Sequence, residues 1–334
     1  MAPPLGGTLT RVQKPAYDKD VTKVTVTFVT VMAKEGSPPM EALKSTIHDC
    51  ALVFEGGGYR GSFSAGVANA FLEQGVYFDF VCGLSAGASN TVNYVSRDQW
   101  RTHESFLVNE TMRGTSGVGT LVRGKGYFDA QAIYEDSAAD GRLPFDYQTF
   151  MANPARVCIQ AFQRDTGRTV RFTKDDMTST ERLVDLVRAS STLPAVMKPL
   201  PVDGHVYYDG GLGQGAGIPV NMAEEAGLER FVFVATREPG YRKKPPTKAE
   251  ASYYAHAMVD FPYLKNAVLT RWERYNAELG RVERMAAEGR VLIVYPDEMT
   301  VSSGTTNPKK LAQAYEQGHT VALRELDRIL TFAA

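Results

Sequence analysis

The chain has 334 residues, 43% of them hydrophobic, which is enough for one large α/β domain or two small ones. Its 37 basic and 38 acidic residues leave a net charge of −1, which excludes a bulk field that would draw in nucleic acid or an acidic membrane. No apolar run approaches the roughly 20 residues of a membrane span, and Met1–Gly7 lacks the charged-then-apolar build of a secretion signal. Cys50, Cys82 and Cys158, odd in number and each in or beside an apolar run, read as buried, reduced thiols suited to a cytoplasm.

Met1–Asp20 is rich in Pro, Gly and basic residues and reads as an arm. Val21–Met32 follows, where Val24, Val26 and Phe28 alternate with Thr25, Thr27 and Val29 in the pattern of an edge strand. Glu35-Gly36-Ser37-Pro38-Pro39 then breaks the chain. Residues 1–48 are thus an N-terminal extension without an assigned role, ahead of one domain over residues 49–334.

The chemistry concentrates between Cys50 and Gly87. The apolar run Ala51-Leu52-Val53-Phe54 passes into Gly56-Gly57-Gly58-Tyr59-Arg60-Gly61 and a helix over Phe63–Leu72 that Gly75 stops. A second run, Phe78–Cys82, enters Gly83-Leu84-Ser85-Ala86-Gly87 and a second helix, giving a βαβα unit. A helical crossover makes successive strands point alike, so both glycine turns face one crevice. The first turn offers backbone N–H groups at a helix N-terminus to a negative charge. Glycines two before and two after Ser85 permit a bend that holds its hydroxyl out from the chain. Acyl transfer needs that pairing of oxyanion donors and nucleophile.

Helix is expected to continue through about Val108, and Gly114–Gly126 reads as a loop or lid beside the crevice. Val157–Phe162 and Thr169–Phe172 form a hairpin about Asp165-Thr166-Gly167, and Thr180–Ser190 is an amphipathic helix ending before Pro194. Asp203-Gly204 turns a second hairpin, whose arm Val206-Tyr207-Tyr208 runs into Asp209-Gly210-Gly211. Pro219 opens a helix that Gly227 closes, and Arg230–Ala235 is a buried strand of the parallel type. A basic surface turn over Glu238–Pro246, helices over Ala249–Ala287, the strand Val291–Tyr295 and a helix over Asn307–Leu330 complete the chain.

Serine needs a base. Of the five histidines, His48 and His103 fall outside the expected crevice, His256 and His319 lie in helical segments, and His205 sits on an exposed hairpin arm. Asp209 ends a strand and is followed by two glycines that let the backbone approach another group closely, and a partly buried carboxylate can take the serine proton. Other readings stay open on these residues. Gly56–Gly61 also satisfies the dinucleotide fingerprint of an NAD(P)-dependent oxidoreductase, with Asp79 near the place of its ribose-binding acid. An α/β-hydrolase with His256 or His319 as base, and a lipid-binding protein without turnover, are two more.

The glycine turn, Gly83-Leu84-Ser85-Ala86-Gly87 and Asp209-Gly210-Gly211, in that order and with Arg188-Ala189-Ser190-Ser191-Thr192-Leu193-Pro194 between the last two, resemble the patatin-like phospholipases. Leu143-Pro144-Phe145-Asp146, Ala235–Tyr241 and Tyr295-Pro296-Asp297 make the bacterial single-domain branch the nearest likeness, over roughly residues 50–320. The resemblance implies a three-layer α/β/α fold with a central, mostly parallel sheet, and a lipid acyl hydrolase with a Ser-Asp dyad and no cofactor or metal. Carried over, Ser85 is the nucleophile and Asp209 the base, with Gly56, Gly57, Gly58 and Arg60 at the oxyanion hole. The expected partner is a lipid or other acyl ester, met in the cytoplasm or at a membrane surface, and no nucleic acid. Tyr253-Tyr254, Phe261-Pro262-Tyr263 and Trp272 either line an acyl channel or, as aromatic residues in helices more often do, fill core.

Overall fold

Ile47–Phe54 is the central strand, β1, and it has no polar face from Cys50 onward. Because side chains alternate along a strand, Cys50, Leu52 and Phe54 point into one apolar layer and Ala51 and Val53 into another. A strand buried on both faces demands helices on both faces. The first layer is supplied by α1 (Gly61–Glu73), α2 (Ala86–Val95) and the helix Thr180–Ser191, the second by the helices Val220–Glu225 and Arg271–Ala287. The protein is therefore a three-layer α/β/α structure. The computed structural model describes residues 42–107 and 114–334, and the chain divides into units Met1–Ala42 and Leu43–Ala334. The N-terminal arm, the edge-strand pattern of Val21–Met32 and the break at Glu35–Pro39 lie outside the described residues.

The other strands are β2 (Phe78–Leu84), β3 (Arg156–Gln163), β4 (Thr169–Thr173), β5 (Pro201–Val202), β6 (His205–Asp209), β7 (Arg230–Val234) and β8 (Val291–Val294). The sheet order is β5-β6-β3-β2-β1-β7-β8, with β4 also on β3. β3, β2, β1, β7 and β8 run parallel, whereas β4 and β6 run against β3.

The register on β3 positions the site. β4 occupies one edge of β3 from Cys158 to Phe162. The opposite edge is shared: β2 pairs as far as Leu84 with Gln160, and β6 takes over with Asp209 opposite Ala161. β2 and β6 thus approach head-on along the same edge, and their ends meet at adjacent residues of β3.

The expected helices divide where local signals act. Arg97 adopts φ 51° and Asp98 caps a new helix, Gln99–Glu104, by accepting from Arg101 N at 2.9 Å. The 249–287 region is three helices, Lys248–Ala257, Pro262–Leu269 and Arg271–Ala287, the second opened by Pro262. The terminal helix splits at Glu325 into Pro308–Arg324 and Leu326–Ala333. The 114–126 stretch holds a five-residue helix, Val118–Val122. All three cysteines are buried and unpaired, and burial pushes the Cys50 and Cys158 thiols up to about 12.

Candidate active site

Ser85 occupies the turn between β2 and α2 at φ 56° and ψ −128°, a backbone conformation that costs a side-chain-bearing residue of order 1–3 kcal/mol. The bend is possible because the chain crosses itself with no side chains in between. A Cβ on Gly83 would stand 2.3 Å from Gly87 O, and one on Gly87 would stand 2.3 Å from Phe54 O. Ser85 is 7% exposed, and its N–H donates to Ser190 Oγ at 3.0 Å, tying the turn to the helix Thr180–Ser191.

The three motifs converge on Ser85. A Cβ built on Gly56 would lie 3.3 Å from Ser85 Cβ, and one on Gly210 would lie 3.0 Å from Leu84 Cβ. Asp209 is 2% exposed; its N–H donates to Thr192 O at 2.8 Å and its Oδ1 accepts from Gly211 N at 2.8 Å. Oδ2 is buried and accepts no N–H among the described residues. Burial raises the carboxyl above the ordinary carboxylate range, opposed by Arg271, by the Ser85 hydroxyl and by the Gly211 N–H. The Asp209 carboxylate thus stands beside the Ser85 hydroxyl with one oxygen uncommitted.

The glycine turn divides its work differently from the expectation that Gly56, Gly57, Gly58 and Arg60 act together. Gly56 N–H donates to Gly217 O at 3.1 Å, so it anchors the turn and offers nothing to a substrate. Among the described residues the Gly57 and Gly58 N–H groups donate to no protein acceptor. Arg60 is 8% exposed and does not line the cavity at Ser85. Burial, and then Arg237, lower it to about 10, against the attraction of Glu55 and Tyr275. It belongs to a polar group behind the turn, in which Glu55 Oε2 accepts from Thr236 N at 2.5 Å and Oε1 accepts from Tyr275 OH at 2.6 Å. Thr236 Oγ1 also donates to Gly56 O at 3.2 Å, so Glu55 and Thr236 lock the end of β1 to the end of β7 just below the glycines.

An apolar cavity opens at Ser85. Tyr59, Phe106, Phe128, Tyr134, Val187 and Met197 are among its walls. Tyr134 rises from a π-helical turn, Ala132–Asp136, and its phenol is pushed up by burial with Ser191 and Ser89 beside it. The turn is tied down by an ion pair between Glu135 and the buried Arg188, which also donates to Lys198 O at 3.1 Å. Arg271 Nε donates to Gly211 O at 2.8 Å and Ala216 O at 3.1 Å, bracing the turn after Asp209. Sequence reasoning passed over Tyr134, Arg271 and Glu55; only Glu55 had a local signal, a charge just ahead of three glycines. Tyr254 and Phe261 pack with Leu212, Met258 and Leu264, as the core reading expects, whereas Tyr253 and Tyr263 are exposed; neither these four nor Trp272 lines the cavity at Ser85, so the acyl-channel reading gives way.

The histidines stand elsewhere. His48 contacts Asp79 at 3.2 Å, His319 contacts Glu73 at 2.7 Å, His103 packs edge-on against Tyr315, and His205 and His256 are exposed. Asp79 lies at the start of β2, the end of the sheet opposite the glycine turn, where no ligand on that turn reaches it. Among the described residues no cluster of three or more metal-ligating side chains occurs.

Residues 52–223 match the family model of the patatin-like phospholipases, and residues 261–334 match a domain of unknown function, DUF6363. The Escherichia coli K12 protein YjjU is 28% identical over 188 residues, 56% of this chain and 51% of that protein. The rat patatin-like phospholipase domain-containing protein 7 is 26% identical over 199 residues, 55% of this chain and 13% of that protein. The chain thus spans about half of the first and about an eighth of the second. VipD from Legionella pneumophila superposes with a TM-score of 0.43 at 13% identity, over 84% of this chain and 67% of that one.

Proposed function

Because the chain belongs to the patatin-like phospholipase family, we propose that it is a carboxylic ester hydrolase acting on lipid acyl esters through Ser85 and Asp209. The observation that carries this reading is the buried carboxylate of Asp209 facing a serine held in a strained turn at the edge of an apolar cavity. An acyl chain enters the cavity and brings its carbonyl over Ser85. Asp209 Oδ2 takes the hydroxyl proton as Oγ attacks the carbonyl carbon. The oxyanion that forms is held by the Gly57 and Gly58 N–H groups, which sit at the N-terminal end of α1 and add its dipole. The proton passes from Asp209 to the departing alkoxide. A water then attacks the acyl-serine with Asp209 again as base, freeing the fatty acid.

Hydrolysis of p-nitrophenyl butyrate tests the assignment. Ser85→Ala is expected to abolish turnover and labelling by a fluorophosphonate probe. Turnover that persists in Ser85→Ala would sink it, and a wild-type chain with neither turnover nor labelling would leave a ligand-binding role for the cavity.

A further inference from the structure

Four of the ten exposed large hydrophobic side chains among the described residues fall within ten positions: Val118 at 70% exposure, Leu121 at 52%, Val122 at 81% and Tyr127 at 40%. Val118, Leu121 and Val122 are spaced i, i+3, i+4 on the helix Val118–Val122, so they form one face. That face is turned to water. It is carried on a tightly bonded projection: Thr120 Oγ1 donates to Gly117 O at 2.6 Å and to Tyr127 O at 2.8 Å, Gly117 N donates to Tyr127 O at 2.8 Å, and Asp129 N donates to Thr115 O at 2.8 Å. An apolar face held out by that many bonds is presented to something.

The base of the projection is the wall of the cavity. Gly126 bridges Met197, and Phe128 N donates to Val196 O at 3.1 Å, with Phe128 and Met197 both lining the cavity at Ser85. Tyr127 packs edge-on against Phe128 at 5.0 Å and Phe128 lies tilted against Tyr59 at 6.2 Å, so a run of aromatic rings joins the foot of the projection to the site. Arg123 closes the helix and is exposed on its other side, with its guanidinium near Gly119. Four partly exposed side chains fall well short of the roughly 800 Å² per partner of a stable protein interface. A lipid surface needs no matching shape and takes an apolar face of this size into its acyl boundary.

From this we infer that the 118–127 projection inserts into a lipid surface and sets the mouth of the acyl cavity against it, so that a chain passes from bilayer to Ser85 along Tyr127 and Phe128. This rests on the lipid-ester reading of the site, and deepens it by naming an aggregated lipid surface as the form in which substrate is met.

The test uses the full chain and vesicles of phosphatidylcholine and phosphatidylglycerol in equal parts. Vesicle sedimentation is read on Ser85→Ala, so that binding is separated from turnover. Adding Val118→Asp, Leu121→Asp and Val122→Asp together is expected to cut vesicle binding roughly tenfold or more. In the active chain the same three changes should cut release of fatty acid from the vesicles to match, with p-nitrophenyl butyrate turnover and melting temperature unchanged. Leu330→Asp, on the C-terminal helix that packs at the opposite end of the sheet, should leave all four readings alone. Wild-type binding by the triple variant, or a matching loss with Leu330→Asp, overturns the inference. So does an apolar face that proves to hold a dimer, dispersed by the triple variant without vesicle binding by either form. If instead binding is lost as expected but no ester is hydrolysed by the wild-type chain, the catalytic reading fails and the docking surface stands.

Discussion

Replacing Asp209 by Asn separates chemistry from architecture at a single position. The carboxylate is 2% exposed, and its Oδ1 holds the Gly211 N–H at 2.8 Å, which an asparagine carbonyl oxygen keeps. Only Oδ2 changes, from an uncommitted acceptor to an amide that cannot take a proton. Loss of a general base is worth about 10²–10⁴ in rate, or about 2.7–5.4 kcal/mol in the barrier. Stability should move the other way. Burial raises the folded pKa of Asp209 above its unfolded value, so the unfolded chain binds fewer protons between the two, and stability falls as pH rises through that window. The wild type therefore carries a desolvation cost at neutral pH that Asp209→Asn lacks, and the two should converge in acid below the ordinary carboxylate range. Steady-state p-nitrophenyl butyrate kinetics give the first quantity and thermal melts at neutral and acid pH the second. A variant that keeps more than about a tenth of wild-type kcat/KM refutes Asp209 as the base. One that melts well below wild type at neutral pH refutes the account of its burial.

Arg271 lowers the Asp209 pKa, so Arg271→Met should shift the acid limb of kcat/KM to higher pH, and an unmoved limb removes Arg271 from the electrostatics of the site. Lys243 is lowered to about 7 by burial and by Arg271, Arg60 and Arg237. Its folded pKa lies below its unfolded one, so its cost is full at or below pH 7 and fades as pH climbs toward the ordinary lysine value. Lys243→Met should then stabilise the protein in urea at neutral pH and bring little gain near pH 10; an equal gain at both denies the burial cost. Gly66 and Gly318 form a reciprocal contact between α1 and the helix Pro308–Arg324: a Cβ on Gly66 would sit 2.0 Å from Tyr315 O, and one on Gly318 would sit 2.0 Å from Phe63 O. Gly318→Ala should cost roughly 1–3 kcal/mol by overpacking, and a melt unchanged from wild type would mean that the helices separate freely.

Both glycine turns, the serine bend, the two hairpins and the buried parallel strands were legible in residue order, because each depends on chemistry within a few positions of itself. Gly83 and Gly87 bracket Ser85, Asp165-Thr166-Gly167 turns β3 into β4, and Pro219 and Gly227 bound their helix without help from the rest of the chain. The division of labour inside the glycine turn was not legible. Gly56 spends its N–H on Gly217, from the segment after Asp209, and Arg60 turns to the Glu55 side, where Thr236 and Tyr275 arrive from beyond β7 and from the helix Arg271–Ala287.

What residue order determined by itself was where the backbone bends and which side chain each bend presents. Whether the hydroxyl and the carboxylate meet was decided by β3, whose single free edge is shared by β2 and β6 running toward each other. The cavity walls come from segments as distant as Tyr59, Phe128, Val187 and Met197, and they touch only once the helical layer that includes α2 and the helix Thr180–Ser191 has closed over its face of the sheet. The exposed apolar face beside them shows in no periodicity, since five residues are too few to reveal which side is left uncovered until every other element has packed.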